Sequence, residues 1–215
     1  GSSITSLNFS ECRLNSQSLT PLTEAIKFMA GVARLSLGSN PRIGDEAMVQ
    51  LLGALKDVSL TSLDISKTGC GVSTTSKLAE LLSGATKFSA GVARLTLNGN
   101  MITGSRDRGR RSGGWEYDTD LSGLTALCEV LPGLKMPISL ELANCGLAVN
   151  GVNELAKAMS AGAAVTKLDL SDCPLTGGQW SSDSDKDLTG ITALFDALKT
   201  STVTELALRK CRLGP

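Results

Sequence analysis

Residues 4–14 read ITSLNFSECRL, and the spacing of the apolar side chains in this stretch decides the fold. Ile4, Leu7 and Phe9 are apolar, and Cys12 stands in a slot that other copies fill with Asn, Thr or Cys. The full pattern is apolar-x-x-Leu-x-apolar-x-x-(Asn/Cys/Thr)-x-apolar. Copies of it start at residues 4, 32, 60, 92, 137, 165 and 203. The chain is therefore predicted to be a repeat protein with seven strand repeats.

Amphipathic helices are predicted between these copies, because apolar residues recur there at spacings of three and four. The apolar positions are Leu19, Leu22, Ile26; Met48, Leu51, Leu52, Leu55; Leu78, Leu81, Leu82; Leu121, Leu124, Leu127, Leu131; Val152, Leu155, Met159; and Leu188, Ile191, Leu194, Leu198. Each unit is thus a short strand, a turn and a helix. Neighbouring strands need about 4.8 Å and helices about 10 Å, so strands on the inside and helices on the outside must curve the stack into a horseshoe.

The base period of 28 residues and the strand pattern LxxLxLxx(N/C)xL resemble leucine-rich repeats of the ribonuclease-inhibitor class. The resemblance covers nearly the whole chain, and it includes a two-repeat unit, because residues 27–37 recur almost unchanged at 87–97. It implies an α/β solenoid that forms a single domain over residues 1–215. Parallel strands would line the concave face of this solenoid, and helices would cover its convex face.

Both ends of the chain lack the polar caps that terminal repeats normally need. The chain has no initiator Met, since it begins Gly1-Ser2, and it stops at Pro215 before a helix covers the last strand. We therefore expect a piece of a longer protein. We also expect that the uncapped repeats permit end-to-end self-association.

The composition excludes several classes of function. The 215 residues contain 21 Lys+Arg and 21 Asp+Glu, so the formal net charge is zero, which argues against a nucleic-acid binder or a protein bound to an anionic membrane. The absence of His removes Ser-His-Asp and Cys-His catalysis and every His-containing metal site. No apolar run approaches a membrane span of about 20 residues.

The six cysteines are predicted to be structural. Cys12, Cys145, Cys173 and Cys211 fill the Asn/Cys slot of the repeat and are expected to face inward in a row, where a thiol is a small side chain and a weak donor to the turn. Cys70 fills an apolar slot of the repeat, and Cys128 lies on a helix face. No CxxC pair suggests zinc. Reduced buried thiols favour a cytoplasmic protein, with the nucleus as the alternative.

Two insertions interrupt the repeat, at about 103–119 and 176–187, where the spacing grows to 45 and 38 residues. Both open with Thr-Gly and lead into similar helices, and Asp120 and Asp187 are predicted to cap those helices. The insertions contain the only two Trp and the only Tyr, and their charges are opposite. The candidate partner-binding residues are Trp115, Tyr117, Trp180, Arg106, Arg108, Arg110, Arg111, Asp183 and Asp185.

Two interpretations of the insertions stay open. Each loop could fold back so that its Trp covers its own repeat. Alternatively, the loops could form an edge that binds a partner, with the aromatic residues as anchors and the arginines steering an acidic protein. The acidic run at 183–187 could itself be the partner of the arginines. It begins like a calcium-binding loop but has Leu188 and Leu194 where such a loop needs Gly and Glu.

The concave face carries small or mildly acidic residues and no aromatic side chain, so it lacks the usual binding hot spots. Two outward-facing columns are predicted by alternation along the strands. They are Asn8, Ser36, Asp64, Thr96, Glu141, Asp169, Ala207 and Ser10, Gly38, Ser66, Asn98, Ala143, Ser171, Arg209.

The predicted function is therefore a non-catalytic scaffold or recognition module that binds another protein, with no cofactor, metal, nucleic acid or membrane. Similar 28-residue repeats imply two alternatives. One is a GTPase-activating protein of the Ran-GAP type, which would need an exposed arginine such as those in 106–111. The other is the sensing or autoinhibitory region of a larger multidomain protein.

Overall fold

A computed structural model describes residues 4–29, 31–109, 114–178 and 186–214. Within these ranges the chain is an α/β protein in which seven parallel strands form one sheet, ordered as they occur in the chain. The chain segment between the fourth and fifth strands of this sheet forms a separate antiparallel pair of strands. The strands are β1 Ser6–Asn8, β2 Arg34–Ser36, β3 Ser62–Asp64, β4 Arg94–Thr96, β5 Arg106–Asp107, β6 Trp115–Glu116, β7 Ile138–Glu141, β8 Val165–Asp169 and β9 Glu205–Ala207.

Strand register follows the sequence pattern in all six parallel pairings. The leucine at the fourth position of each copy pairs with the same leucine of the neighbouring copies. In the interior strands these leucines are at most 1% exposed. The column is Leu7, Leu35, Leu63, Leu95, Leu140, Leu168 and Leu206. The adjacent column is the predicted polar one from Asn8 to Ala207, so its register is confirmed.

Helices follow the main strands, and each long helix packs against the next long helix along the chain. They are α1 Ser16–Ala25, α2 Gly44–Ala54, α3 Val72–Ser83, α4 Lys87–Gly91, α5 Ser122–Val130, α6 Val149–Ser160 and α7 Thr189–Leu198. Their apolar faces and the strand leucines form one continuous core. Across the described ranges, every helix is too short or too polar to cross a membrane.

Buried asparagines tie the turns of adjacent units together. Asn100 Nδ2 donates to Ile65 O at 2.8 Å and to Leu97 O at 2.9 Å, while Asn100 Oδ1 accepts from Thr68 N at 3.0 Å and Cys70 N at 3.1 Å. The amide thus bonds four backbone groups of two neighbouring turns. This explains why the pattern reserves one polar slot inside an apolar repeat.

In three later units a cysteine fills this slot and makes one of these side-chain-to-backbone hydrogen bonds. Cys145, Cys173 and Cys211 are buried, and their thiols donate to the carbonyls of Leu97, Leu142 and Leu170 of the preceding units at 3.3, 3.4 and 3.1 Å. Burial raises the pKa of the Cys173 thiol to about 12. The prediction is thereby confirmed for these three residues.

Cys12 was predicted to be buried with the others, and this prediction is wrong. Cys12 is exposed. Its strand, β1, is an edge of the sheet in the described part of the chain. Without a preceding turn to contact, its thiol faces Ser10 O of its own turn at 3.4 Å.

The two copies of the KF-x-AGVAR-L-x-L segment have different environments. Phe88 is fully buried, whereas Phe28 is 86% exposed. The third unit is four residues longer than the first, and Phe88 lies in the additional helix α4, which Thr86 caps. In the first unit a 3₁₀ turn over Ile26–Phe28 directly follows α1, and Ile26 is the buried side chain. The length of the unit, rather than its local sequence, decides which residue is buried.

A turn residue with positive φ follows the strand in every unit. The residues are Glu11, Ser39, Lys67, Gly99, Asn144, Asp172 and Lys210, with φ from 50° to 72°. This conformation costs a residue with a Cβ about 1 kcal/mol or more. Gly99 adopts it without this cost, and Asn144 and Asp172 are of the residue types that tolerate it best among those with a Cβ.

Replacing Lys67 by glycine is therefore expected to stabilise the protein by about 0.5–1 kcal/mol, because relief of the positive φ of 50° exceeds the added entropy of the unfolded chain. Chemical denaturation measures the effect. Lys56→Gly is the control, because Lys56 is an exposed lysine without positive φ and its replacement should destabilise. Equal effects of the two substitutions would contradict the argument.

Candidate interaction edge

The first insertion forms a β-hairpin at the edge where the strands end. β5 and β6 pair with Arg106 opposite Glu116 and Asp107 opposite Trp115. Arg108 N donates to Gly114 O at 2.9 Å and extends the pairing towards the tip. Two segments of a stretch that the sequence predicts only as an irregular insertion thus form paired strands.

Short buried hydroxyl side chains hold the base of the hairpin to the next unit. Thr103 Oγ1 and Ser105 Oγ both donate to Gly146 O, at 3.1 and 2.9 Å. Asp118 N in turn donates to Ser105 Oγ at 3.0 Å. Both sides of the hairpin base are therefore bonded to the turn that follows β7.

Asp118 attaches the hairpin to α6. Its carboxylate accepts from Gly151 N at 2.9 Å and from Ala148 N at 3.2 Å, so it caps a helix that belongs to the next unit. Burial raises the pKa of this carboxyl, although the backbone N–H groups oppose the shift. Asp45 caps α3 in the same way by accepting from Gly71 N at 3.0 Å and Thr74 N at 2.8 Å.

One face of the hairpin is charged. Arg106 Nε donates to Glu116 Oε2 at 3.0 Å, and Arg108 Nη1 donates to Glu116 Oε1 at 2.6 Å. The hydrogen bond from Arg106 and the two positive charges hold the pKa of Glu116 below its usual range. A single carboxylate thus faces two exposed guanidinium groups, so these three side chains together carry an excess positive charge.

The sequence suggested a different partner for these arginines, namely the acidic run of the second insertion. Among the described residues, Glu116 of the same hairpin is the partner of Arg106 and Arg108. Asp187 instead accepts from Thr189 N at 2.9 Å at the start of α7. The suggested pairing fails for Asp187 because its carboxylate is taken up by the helix that it was predicted to cap.

The opposite face of the hairpin is aromatic. The rings of Trp115 and Tyr117 stack with centroids 5.9 Å apart and planes 6° from parallel, and both residues are half-buried. Two residues apart on one strand, they point to the same side. Burial raises the pKa of the Tyr117 hydroxyl, and the charge and hydrogen bonding of Arg212 oppose this shift.

Arg212 connects the hairpin to the second insertion. It donates through Nη1 to Gly178 O of the second insertion, and its positive charge offsets part of the rise in the pKa of Tyr117 in the first. Arg212 belongs to the last turn, three units after the start of the hairpin, and has a φ of 56°. The two insertions therefore meet through this residue, and we call the hairpin together with Arg212 and Gly178 the interaction edge.

The bases of the two insertions are built alike. Asp120 N donates to Thr103 O at 3.0 Å, and Asp187 N donates to Thr176 O at 3.1 Å. Asp120 Oδ1 also accepts from Ser122 N at 3.0 Å, as Asp187 does from Thr189. The predicted capping role of both aspartates is confirmed.

The other candidate residues, Arg110, Arg111, Trp180, Asp183 and Asp185, lie outside the described residues. Sequence reasoning missed two members of the edge. The alternation in Trp115-Glu116-Tyr117 could have placed Glu116 opposite the aromatic face of a strand. No local signal connects Arg212 with a hairpin almost a hundred residues earlier.

The polar face of the parallel sheet is a second possible surface, but its polar groups largely bond one another. Ser36 Oγ donates to Asp64 Oδ2 and Ser66 Oγ to Asp64 Oδ1, both at 2.7 Å. Glu141 lies 3.8 Å from Arg94 and accepts from Thr96 Oγ1 at 3.3 Å. The described residues of this face thus offer mixed and internally paired charge.

A GTPase-activating protein, one alternative implied by the resemblance, would need an exposed arginine in 106–111. Arg106 and Arg108 are exposed, and both are bonded to Glu116. Among the described residues no cluster of His, Cys, Asp or Glu could hold a metal ion. The chain matches no protein-family model and no curated protein.

Replacing Arg212 by alanine is expected to loosen the start of the second insertion without unfolding the chain. Amide exchange at Gly177, whose N–H donates to Pro174 O beside the Gly178 carbonyl that Arg212 bonds, should accelerate about tenfold, since a charged hydrogen bond contributes roughly 1.5 kcal/mol. Asp120 N, at the base, should keep its protection. Arg209→Ala removes an exposed arginine of the same turn and is the control. Equal exchange in both variants would show that Arg212 does not hold the edge.

Proposed function

We propose that this chain is a leucine-rich repeat solenoid of the ribonuclease-inhibitor-like class and that it acts as a non-catalytic protein-interaction module. Support for the solenoid comes from the repeat in the sequence, the chain-order parallel sheet and the packing of each long helix on the next. Strands spaced more closely than helices would give the sheet side concave curvature. The proposal includes a reducing, cytoplasmic environment, supported by six free cysteines.

The binding surface in this proposal is the interaction edge. The observation that carries it is the hairpin, whose base is bonded to the next unit while Arg106 and Arg108 remain exposed to solvent. Order before binding lowers the entropic cost of association. In this proposal the stacked rings of Trp115 and Tyr117 stabilise the hairpin from its other face. We therefore assign partner recognition to the face that carries Arg106 and Arg108.

The partner is proposed to be an acidic protein segment. Residues 106–116 contain four arginines against two acidic residues, so the hairpin is positive on a chain that is neutral overall. A carboxylate of the partner would compete with Glu116 for the guanidinium groups, and Arg forms bidentate bonds with carboxylates. Positive charge on this edge would also speed association with an acidic partner.

Quantitative capture of partners from native extract tests the proposal. The double variant Arg106→Glu, Arg108→Glu should reduce capture of the specific partner at least tenfold, whereas Glu116→Gln should increase it by releasing both arginines. Lys56→Glu, which changes a distant exposed charge, is the matched control, and circular dichroism verifies folding. Unchanged capture by the folded double variant would overturn the assignment of the edge.

A further inference from the structure

Arg106 and Arg108 converge on one anion. Side chains alternate between the two sides of an extended segment, so these residues, two apart in the chain, project to the same side of the hairpin. Arg106 Nε donates to Glu116 Oε2 at 3.0 Å, and Arg108 Nη1 donates to Glu116 Oε1 at 2.6 Å. The two guanidinium groups therefore hold the adjacent oxygens of a single carboxylate between them. We call this pair of arginines the guanidinium clamp.

The clamp has donors and charge beyond those that Glu116 uses. A guanidinium carries several N–H donors in a planar fork, and each arginine is bonded to Glu116 through one of them. The side chains of Arg106 and Arg108 are 64% and 50% exposed. Two positive charges face one negative charge at this surface, so an anion from solvent can reach both arginines and is attracted to them.

The neighbouring acidic residue of the hairpin does not occupy the clamp. Asp107 lies between the two arginines in the chain, so its side chain projects to the opposite side of the strand. It pairs opposite Trp115, and its carboxylate accepts from Gly109 N at 2.7 Å. Among the described residues, Glu116 is therefore the carboxylate with which a ligand of the clamp must compete.

Glu116 sets the strength of binding that a competing anion must exceed. It belongs to the same hairpin as the arginines, so it bonds them without the entropic cost that a separate molecule pays. A carboxylate of a partner offers the same charge and the same two oxygens, and so gains nothing over Glu116. A phosphate monoester carries a charge of about −1.5 to −2 at pH 7 and three acceptor oxygens, so it can bond both guanidinium groups and balance their two charges.

We propose that the guanidinium clamp binds the phosphate group of a phosphoserine or phosphothreonine in the partner protein. Clustered arginines are a recurring means of recognising phosphorylated segments, because their planar forks match the phosphate oxygens. This inference rests on the proposed function, since it names the acidic group that the interaction edge recognises. Phosphorylation of the partner then controls its association with this chain.

Titration of the full chain with a short phosphopeptide, followed by amide NMR, tests the clamp. The probe is the end-blocked peptide Ala-Ala-phosphoserine-Ala-Ala, and the comparison peptides carry serine or glutamate at the central position. The phosphopeptide should shift the amide signals of Arg106, Arg108 and Glu116, and it should bind at least about tenfold more tightly than the glutamate peptide. Equal affinities for these two peptides, or shifts as large at Arg94 on the sheet, would overturn the proposal.

Lysine substitution separates the geometry of the guanidinium groups from their charge. The double variant Arg106→Lys, Arg108→Lys keeps both positive charges but loses the planar forks, so its affinity for the phosphopeptide should fall about tenfold. Glu116→Gln removes the competing carboxylate and should raise the affinity by a similar factor. Arg94→Lys is the matched control, because Arg94 is also exposed and lies 3.8 Å from a single carboxylate, that of Glu141. Full affinity in the double lysine variant would contradict the clamp.

Phosphatase treatment distinguishes failure of this inference from failure of the proposed function. Native extract is divided, and one half is dephosphorylated before capture by the full chain. Capture of the specific partner should fall at least about tenfold after treatment. Capture that survives dephosphorylation but is lost in the variant Arg106→Glu, Arg108→Glu would overturn the phosphate inference and leave the proposed function standing. Binding of phosphoinositide vesicles without binding of the phosphopeptide would overturn the protein source of the phosphate.

Discussion

Replacing Gly190 by alanine is expected to destabilise the protein by about 3 kcal/mol, the upper part of the range for inserting a group into a filled site. Gly190 is the second residue of α7 and faces the backbone of Val149, the first residue of α6. A Cβ at this position would lie 2.6 Å from Val149 O and 3.2 Å from Val149 Cα. Backbone atoms cannot turn aside as a flexible side chain does, so the two helices must separate.

Gly53 supplies the matched control. It lies in α2, where an added Cβ would meet only the end of the Lys77 side chain at 3.9 Å. Gly53→Ala should therefore stabilise the protein by about 0.5–1 kcal/mol through helix propensity alone. Urea denaturation of both variants measures the contrast. Stabilisation by Gly190→Ala would show that α6 and α7 do not pack this closely.

Replacing Asn100 by alanine is expected to cost about 3–4 kcal/mol. The Asn100 side chain is 1% exposed and bonds two carbonyls and two N–H groups. Its removal leaves buried backbone groups unpaired, and each such group costs roughly 1–3 kcal/mol before the structure relaxes. The loss should appear as a lower denaturation midpoint with an unchanged slope.

Asn100→Cys tests whether the hydrogen bonds themselves are responsible. Cysteine holds this slot in three later units, where its thiol donates to the carbonyl of the preceding unit. It should therefore recover about half of the stability that alanine loses. If Asn100→Ala and Asn100→Cys were equally unstable, the thiol bond would contribute nothing at this slot.

The sequence predicts the sheet well because the leucine spacing repeats at every unit. Leu35, Leu63 and Leu95 fall in one column only if each strand stands beside the next copy, so periodicity determines register. The capping roles of Asp120 and Asp187 are also local, since each bonds a residue two positions later. Such features depend on short spacings that can be read along the chain.

The interaction edge was predictable only in part. The insertions could be located from the interrupted period, and their aromatic residues and arginines from composition. The bond from Arg212 to Gly178 depends on how the fold brings together turns that lie 34 residues apart in the chain. The exposure of Cys12 could not be predicted from its slot in the repeat either, because it depends on the position of β1 at an edge of the described sheet.

Site-specific photo-crosslinking tests the proposed binding edge most directly. A photoreactive residue is placed at Arg108 on the hairpin, at Thr96 on the polar face of the parallel sheet, or at Lys56 as a distant control, and crosslinked proteins are quantified after irradiation in native extract. If the hairpin is the binding surface, one acidic partner crosslinks from position 108 and only at background level from positions 96 and 56. A partner that crosslinks from position 96 but not from position 108 would instead assign binding to the polar face of the sheet.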